Sequence, residues 1–265
     1  LPELPDVETF RRYVDATSLH KEIAEVELRS PEILVGTSVD ELKDSLKGSS
    51  FESTRRHGKY LFVAFDGQGW LMFHFGMTGH LKYFKDLDKD TDYDRLLVSF
   101  TNGYHLAYDA MRKLGEVQLV DDVEGFLAER NLGPDALSPD LDEGTFVNLI
   151  SSRRGMIKAA LMDQHLIAGI GNIYSDEILF QAGIHPRAEI QGLSKQQVGT
   201  IFQVMHEVLR TAIERHADPE QFPESYLNQH REKGGKCPIC GQELLRVTVS
   251  GRTGYFCPNR QGPGP

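Results

Sequence analysis

The sequence predicts an α+β fold with three successive textures. Up to residue 130, short apolar or alternating runs recur between turn residues, the period-2 signature of strands. After residue 142 the apolar spacing becomes helical. From Cys237 onward a paired-cysteine pattern frames two strand-like runs around Gly251. An N-terminal β-sandwich or barrel, a helical segment and a cysteine-bearing hairpin follow.

The elements read off in order. Pro5–Val14 places Val7, Phe10 and Val14 at i, i+3 and i+7, one face of a helix. Tyr60–Phe65, Gly69–Phe75, Leu96–Phe100 and Tyr104–Tyr108 are strands, separated by the turn pairs Asp66-Gly67, Thr78-Gly79 and Asn102-Gly103. An Asn-Gly pair between apolar runs is a strong hairpin signal. Residues 131–142, rich in Gly, Pro and Asp, predict a linker. Phe146–Ser151, Ile157–Asp163, Ile173–Ala182 and Val198–Arg215 are helices, and Glu243–Val249 and Tyr255–Phe256 are strands. The expected domains are 1–130, a linker at 131–145, a helical domain at 146–235 and a hairpin at 236–262. The tail from Gly262 to Pro265 is expected to fray.

The chain has 265 residues, 40% apolar and 9% aromatic, enough for a packed core. No run of 18 apolar residues predicts a spanning helix, and the start lacks the basic and apolar regions of a signal peptide. Three cysteines, all after residue 236, exclude a disulfide framework and favour a reducing compartment. The net charge of −10 is uneven: residues 1–150 carry 16 Lys and Arg against 28 Asp and Glu, residues 229–260 carry 6 against 2. Screening limits each charge to about 8–10 Å, so a local basic surface can bind phosphate on an acidic chain.

Cys237-Pro-Ile-Cys240, a gap of 16 residues and Cys257-Pro-Asn-Arg260 have the spacing of a zinc ribbon. Arg260 stays protonated and cannot be the fourth ligand. The expected cofactor is one Zn²⁺ held weakly by Cys237, Cys240 and Cys257; three unrelated thiols is the alternative, disfavoured by the matched Cys-Pro-x-x spacing. Gly169-Ile-Gly-Asn172-Ile-Tyr174 opens a helix after a turn, which suits an anion, or simply makes a tight turn. Arg55-Arg56-His57-Gly58-Lys59 reads alone as a solvated basic loop before a strand. Met77 and Arg112-Lys113-Leu114 follow strands, where an apolar tip beside basic residues can wedge into a base stack or pack in a core. Pro2-Glu3 is the most informative pair. A free N-terminal proline is a secondary amine titrating about 2–3 units below Lys, and such an amine attacks a sugar carbon to give an iminium directly.

Together these segments resemble the formamidopyrimidine-DNA glycosylase/endonuclease VIII family along nearly the whole chain. Pro2-Glu3-Leu4-Pro5-Asp6-Val7-Glu8-Thr9 is similar to the family's amino terminus, with Leu4-Pro5 typical of the formamidopyrimidine branch. His57–Leu61 is similar to the catalytic-lysine loop and His74–Gly79 to a wedge loop. Ile157–Asp163 with Gly169–Glu177 resembles the helix-two-turn-helix, and Gly251-Arg252-Thr253 before Tyr255-Phe256-Cys257 resembles the zinc-finger hairpin. The resemblance implies a β-sandwich lobe, a helix-two-turn-helix lobe with the finger, and DNA in the cleft between them. It implies that a damaged nucleotide is flipped out, that the Pro2 nitrogen attacks C1′, that Glu3 moves protons at the sugar, and that Lys59 contacts phosphate and assists. Arg252 and Asn172 match phosphate-gripping positions, Arg154 and Lys158 match DNA-contacting ones, Met77 and Leu114 match wedge positions, and Arg112 matches the residue facing the orphaned base. The implied activity is base-excision repair of oxidised purines by a glycosylase/AP lyase with β,δ-elimination. The implied partner is damaged double-stranded DNA, met by a monomer in the bacterial cytoplasm with no membrane attachment.

Four departures bear on this. Leu1 precedes Pro2 and is expected to reflect an alternative start codon, its residue removed to expose the amine. Asp109-Ala-Met-Arg-Lys-Leu-Gly115 has Leu114 where Phe is usual. His216–Lys236 is shorter than the loop that closes over 8-oxoguanine in many members, leaving oxidised pyrimidines as the alternative substrate. Arg260 replaces a cysteine. The non-enzymatic alternative is a lesion-binding protein with its amine blocked by Leu1.

Overall fold

The computed structural model describes residues 2–66, 69–262 and 264; Leu1 and the Asp66-Gly67 turn pair therefore lie wholly or partly outside the described residues. The chain divides into two compact units, Leu1–Asn131 and Leu132–Pro265.

The first unit opens with helix α1 (Leu4–Thr17), started by Pro5 in its first turn and by the Asp6 carboxylate, which accepts the Glu3 N–H at 2.9 Å. α1 buries Leu4, Val7 and Val14. Two antiparallel four-stranded sheets follow. One has the order β1 (Ile23–Leu28), β6 (Asp94–Phe100), β7 (His105–Asp109), β5 (His80–Phe84); the other β2 (Phe51–His57), β3 (Tyr60–Phe65), β4 (Gly69–His74), β8 (Glu116–Val120). Helices α2 (Val39–Leu46) and α3 (Val123–Glu129) complete the unit. Val26, Leu96, Val98, Leu106 and Tyr108 from one sheet share a core with Leu61, Val63, Leu71, Phe73 and Val117 from the other, which makes this a β-sandwich. β3 is covered on both faces, because Phe62 meets Phe126 of α3 edge-on at 5.4 Å; that is why its sequence reads as an unbroken apolar run. The Asn102-Gly103 hairpin forms as expected, with Gly103 at φ 81°.

One expectation is corrected here. Arg55, Arg56 and His57 are not loop residues but the end of β2, paired with Phe62, Leu61 and Tyr60 of β3. β2 is an edge strand with only Phe51 buried, so its pairing rests on the backbone and needs no apolar alternation.

The second unit begins with the stretch expected to be a linker, and it is packed instead. Gly133 N–H donates to Gln164 O, Ala168 N–H to Pro134 O and Ala136 N–H to Ala168 O, all at 2.9–3.0 Å, while Ala136 and Leu141 are buried. A side chain at Gly133 would collide with the Leu166 carbonyl, so this glycine marks a close backbone approach. Helices α4 (Glu143–Ser151), α5 (Ile157–Met162), α6 (Asn172–Gln181) and α7 (Lys195–Glu214) follow. Asp142 caps α4 through Thr145 N–H at 2.7 Å, and Ser194 with Gln197 forms a capping box on α7. α6 is buried on all sides from Tyr174 to Phe180, so Asp176 and Glu177 lie inside the unit.

Strands β9 (Leu245–Val249) and β10 (Arg252–Phe256) pair antiparallel through Ser250 and Gly251, both at positive φ (48° and 72°), as a two-residue type I′ hairpin requires. α8 (Pro258–Gln261) follows. Of the tail expected to fray, Pro263 and Pro265 lie outside the described residues; an added Cβ at Gly264 would meet the His185 ring at 2.5 Å. Among the described residues no helix is long and apolar enough to cross a membrane.

Candidate functional site

In the first unit, Pro2 is half-buried and Glu3, the residue before α1, is 1% exposed. Asp6 is pushed up to about 6 chiefly by burial; the N–H of Glu3 holds it down and the Glu3 charge adds to the rise. Two carboxylates thus sit one helical turn apart beside Pro2. Lys59 occupies the two-residue turn between β2 and β3, with Gly58 at φ 54°. Its charge reaches His74 on β4, whose imidazole is held below its ordinary value by burial first, and by Lys59 and Arg130 in addition.

Met77 and the 109–115 segment belong to two loops that interlock. A Cβ at Gly76 would collide with the Leu114 carbonyl, and one at Gly79 would meet the Tyr108 hydroxyl at 2.9 Å. A Cβ at Gly115 would collide with that hydroxyl and with the His74 carbonyl, to which Tyr108 donates at 3.2 Å. The Arg112 N–H lies 3.4 Å from Thr78 Oγ1. From this base Met111 and Leu114 project at 57% and 53% exposure, Arg112 is exposed and Met77 is half-buried. Exposed apolar side chains on a glycine-locked base are suited to enter another molecule rather than to fill a core.

In the second unit, Asn172 begins α6 and donates from Nδ2 to Thr253 O at 2.9 Å, which ties it to the residue after Arg252. Its Oδ1 is buried without a hydrogen-bond partner. Arg252 is exposed at the start of β10, beside a shallow groove lined by Ala159, Met162, Asp163 and Ser250. Arg154 is exposed in the turn before α5. Lys158 corrects an expectation. Its side chain is 0% exposed and ion-paired to Asp176, so it offers no surface contact in this structure. Its place in the motif resembles a DNA-contacting position, but sequence position does not say which way a side chain faces.

The sulfur atoms of Cys237, Cys240 and Cys257 all lie within 4.8 Å of one another, with Cys240 and Cys257 at 3.5 Å. Zn–S bonds of about 2.3 Å place tetrahedral ligands about 3.8 Å apart, so the three thiols fit a soft metal ion. Arg260 turns its guanidinium onto the Phe180 ring at 5.0 Å and toward the Gln181 carbonyl at 3.4 Å. Gln261 accepts the Cys257 N–H and donates to Ile184 O, both at 2.9 Å. Arg260 and Gln261 thus tie α8 directly to α6 and to the turn that follows it.

Sequence reasoning did not single out Asp176, Arg231 or Gly254, which meet behind Asn172. The signal was present in the acid pair Asp176-Glu177 inside an otherwise apolar helix, since buried charge demands partners.

Comparison with known proteins bears on this geometry. The formamidopyrimidine-DNA glycosylase N-terminal domain matches residues 1–117, and the formamidopyrimidine-DNA glycosylase H2TH domain matches residues 132–223. A formamidopyrimidine-DNA glycosylase of Streptococcus pyogenes serotype M6 is 32% identical over the full length of both chains. One from Arabidopsis thaliana is 32% identical over 98% of this chain and 71% of its own. The Lactococcus lactis formamidopyrimidine-DNA glycosylase, solved non-covalently bound to DNA containing an AP site, superposes with a TM-score of 0.89 at 30% identity, covering 98% and 99% of the two chains. A β-sandwich followed by a helix-two-turn-helix and a thiol-bearing hairpin defines a DNA glycosylase of the repair class. The chain belongs to the formamidopyrimidine-DNA glycosylase family.

Proposed function

We propose that this chain is a bifunctional glycosylase and AP lyase that removes oxidised purines from duplex DNA. The observation that carries the reading is the Pro2-Glu3 pair at the head of α1, with the Glu3 carboxyl buried one turn from Asp6. The Pro2 nitrogen attacks C1′ of the damaged nucleotide, the glycosidic bond breaks, and the base leaves with a proton. Glu3 protonates the sugar ring oxygen as the ring opens to the iminium. β-elimination and then δ-elimination expel the two phosphates, and water releases the sugar remnant from Pro2. The step requires Pro2 as a secondary amine, since a peptide-bonded proline nitrogen has no available lone pair.

Lys59 contacts phosphate and assists base release; Arg252, Asn172 and Arg154 hold the backbone. Met77, Arg112 and Leu114 fill the space of the extruded nucleotide, at an unstacking cost of a few kcal/mol that is smaller for damaged pairs. Support for oxidised purines comes from related structures, among them a Lactococcus lactis mutant in complex with Fapy-dG DNA and a MutM in complex with DNA containing carbocyclic 8-oxo-G. One Zn²⁺ on Cys237, Cys240 and Cys257 would supply folding free energy to the hairpin and take no part in bond breaking.

Borohydride trapping on an abasic duplex tests the chemistry. A covalent adduct whose peptide map ends at Pro2 is expected, and a protein that retains residue 1 yet still forms the adduct rules Pro2 out. Incision of duplexes with one 8-oxoguanine, formamidopyrimidine or thymine glycol tests the substrate. A preference for thymine glycol would reject the oxidised-purine reading.

A further inference from the structure

Behind Asn172 lies a charged cluster that the reaction does not use directly. Asp176 on α6 is fully buried and accepts from three other segments of the second unit. One oxygen is ion-paired to Lys158 of α5. The other takes Arg231 NH2 at 2.7 Å, Arg231 Nε at 3.2 Å and the Tyr255 N–H of β10 at 3.1 Å. Arg231, 12% exposed, also donates to the Asn172 carbonyl at 3.3 Å and lies 5.7 Å from the Tyr255 ring. A side chain at Gly254 would collide with Lys158 and meet Asp176 at 2.6 Å, so only glycine admits this approach.

Two cations against one anion, all taken from water, is a poor way to gain stability, since well-packed apolar residues would do as well or better. What the arrangement does is geometric. It joins α6, which begins at Asn172, to β10, which begins at Arg252, and the Asn172 amide closes the connection on Thr253. We propose that Asp176 is a positioning residue for DNA binding, setting Asn172 and Arg252 at the separation needed to grip one phosphate backbone. The inference rests on the reading of Asn172 and Arg252 as phosphate contacts.

Asp176→Asn gives a readout that loss of stability alone would not. Removing an acid near a phosphate-binding surface strengthens DNA binding by simple electrostatics; a positioning role predicts weaker binding. The measurement is the affinity for a duplex carrying a tetrahydrofuran abasic analogue across a salt series, for the wild type, Arg252→Ala, Asp176→Asn and the double variant. Arg252→Ala should lower the slope of log affinity against log salt by about one. Asp176→Asn should weaken binding and lower the slope similarly, and the double variant should lose less than the sum of the two single losses. If Asp176→Asn does not fold, Lys158→Met/Asp176→Asn keeps the buried charge at its native balance and should give the same slope. Arg231→Gln, which leaves a neutral Lys158–Asp176 pair, should do likewise. A folded variant with the wild-type slope or tighter binding overturns the proposal, as do losses that simply add to that of Arg252→Ala. If Arg252→Ala itself keeps the wild-type slope, the phosphate reading falls and this inference falls with it.

Discussion

Glu3 and Glu177 are both buried carboxylates in different surroundings, and the proposed function uses only Glu3. Glu3 adjoins Pro2 at the chain start, so Glu3→Gln keeps the shape and removes the titratable proton. Base excision should fall by about 10²–10⁴-fold while abasic duplex is still bound; near-normal excision would reject the role. Glu177 faces inward, accepting Gln181 Nε2 at 2.8 Å and the N–H groups of Leu227 and Asn228 at 3.2 and 2.9 Å, with Arg231 the nearby charge. Burial pushes its carboxyl up to about 7, against an ordinary 4.5. Between those values the folded chain binds more protons than the unfolded one, so this group's contribution to stability declines as pH rises from about 4.5 to 7. Glu177→Gln should flatten that decline, read as a smaller Tm difference between pH 5 and pH 8 than in the wild type; an unchanged difference would refute the assignment. Pro2 and Glu3 stand out in the sequence because the chemistry proposed for them resides in residue type and order. The burial of Lys158 against Asp176 was not, because direction depends on packing among α5, α6 and β10.

At the level of elements, legibility follows position in the sheet. The strands that the sequence announced, β3, β4, β6 and β7, are the four central ones, and the four it did not, β1, β2, β5 and β8, are all edges. Central strands carry runs of buried residues, whereas the edges mix in exposed polar ones, as in β1 and β2, and lose the signal. The hairpin of β9 and β10 was legible from two short strand-like runs around Gly251, framed by cysteines. Arg260 and Gln261 tie α8 to the end of α6 and the turn beyond it, contacts that need no metal ion. Arg260→Cys should therefore raise bound zinc toward one per chain and raise thermal stability, with a smaller change in incision. Zinc content that stays at zero in this variant would show that the three thiols do not hold the metal.

For the whole molecule, charge is the property most easily misread. A net charge of −10 argues against a polyanionic partner, yet residues 229–260 carry an excess of basic groups, and Arg154 and Arg252 are both exposed in the second unit. Affinity for duplex DNA should fall with rising salt, log against log, with a slope set by the few phosphates contacted and not by the net charge. Binding that is independent of salt, or that strengthens with it, would count against a phosphate-gripping surface. Composition alone could not settle this, because it averages over surfaces farther apart than the screening length.

The interlocked loops at Gly76–Gly79 and Asp109–Gly115 have a consequence for descent and for engineering. Each loop's shape is moulded on the backbone of the other and on one tyrosine hydroxyl, so neither is a free cassette. Transplanting only residues 109–115 from a relative would bring in a strand end without its matching mould. A chimaera that keeps its shape must carry residues 74–79, Tyr108 and the later loop as one hereditary block, and lineages that trade one of these loops for another should be found to have traded both.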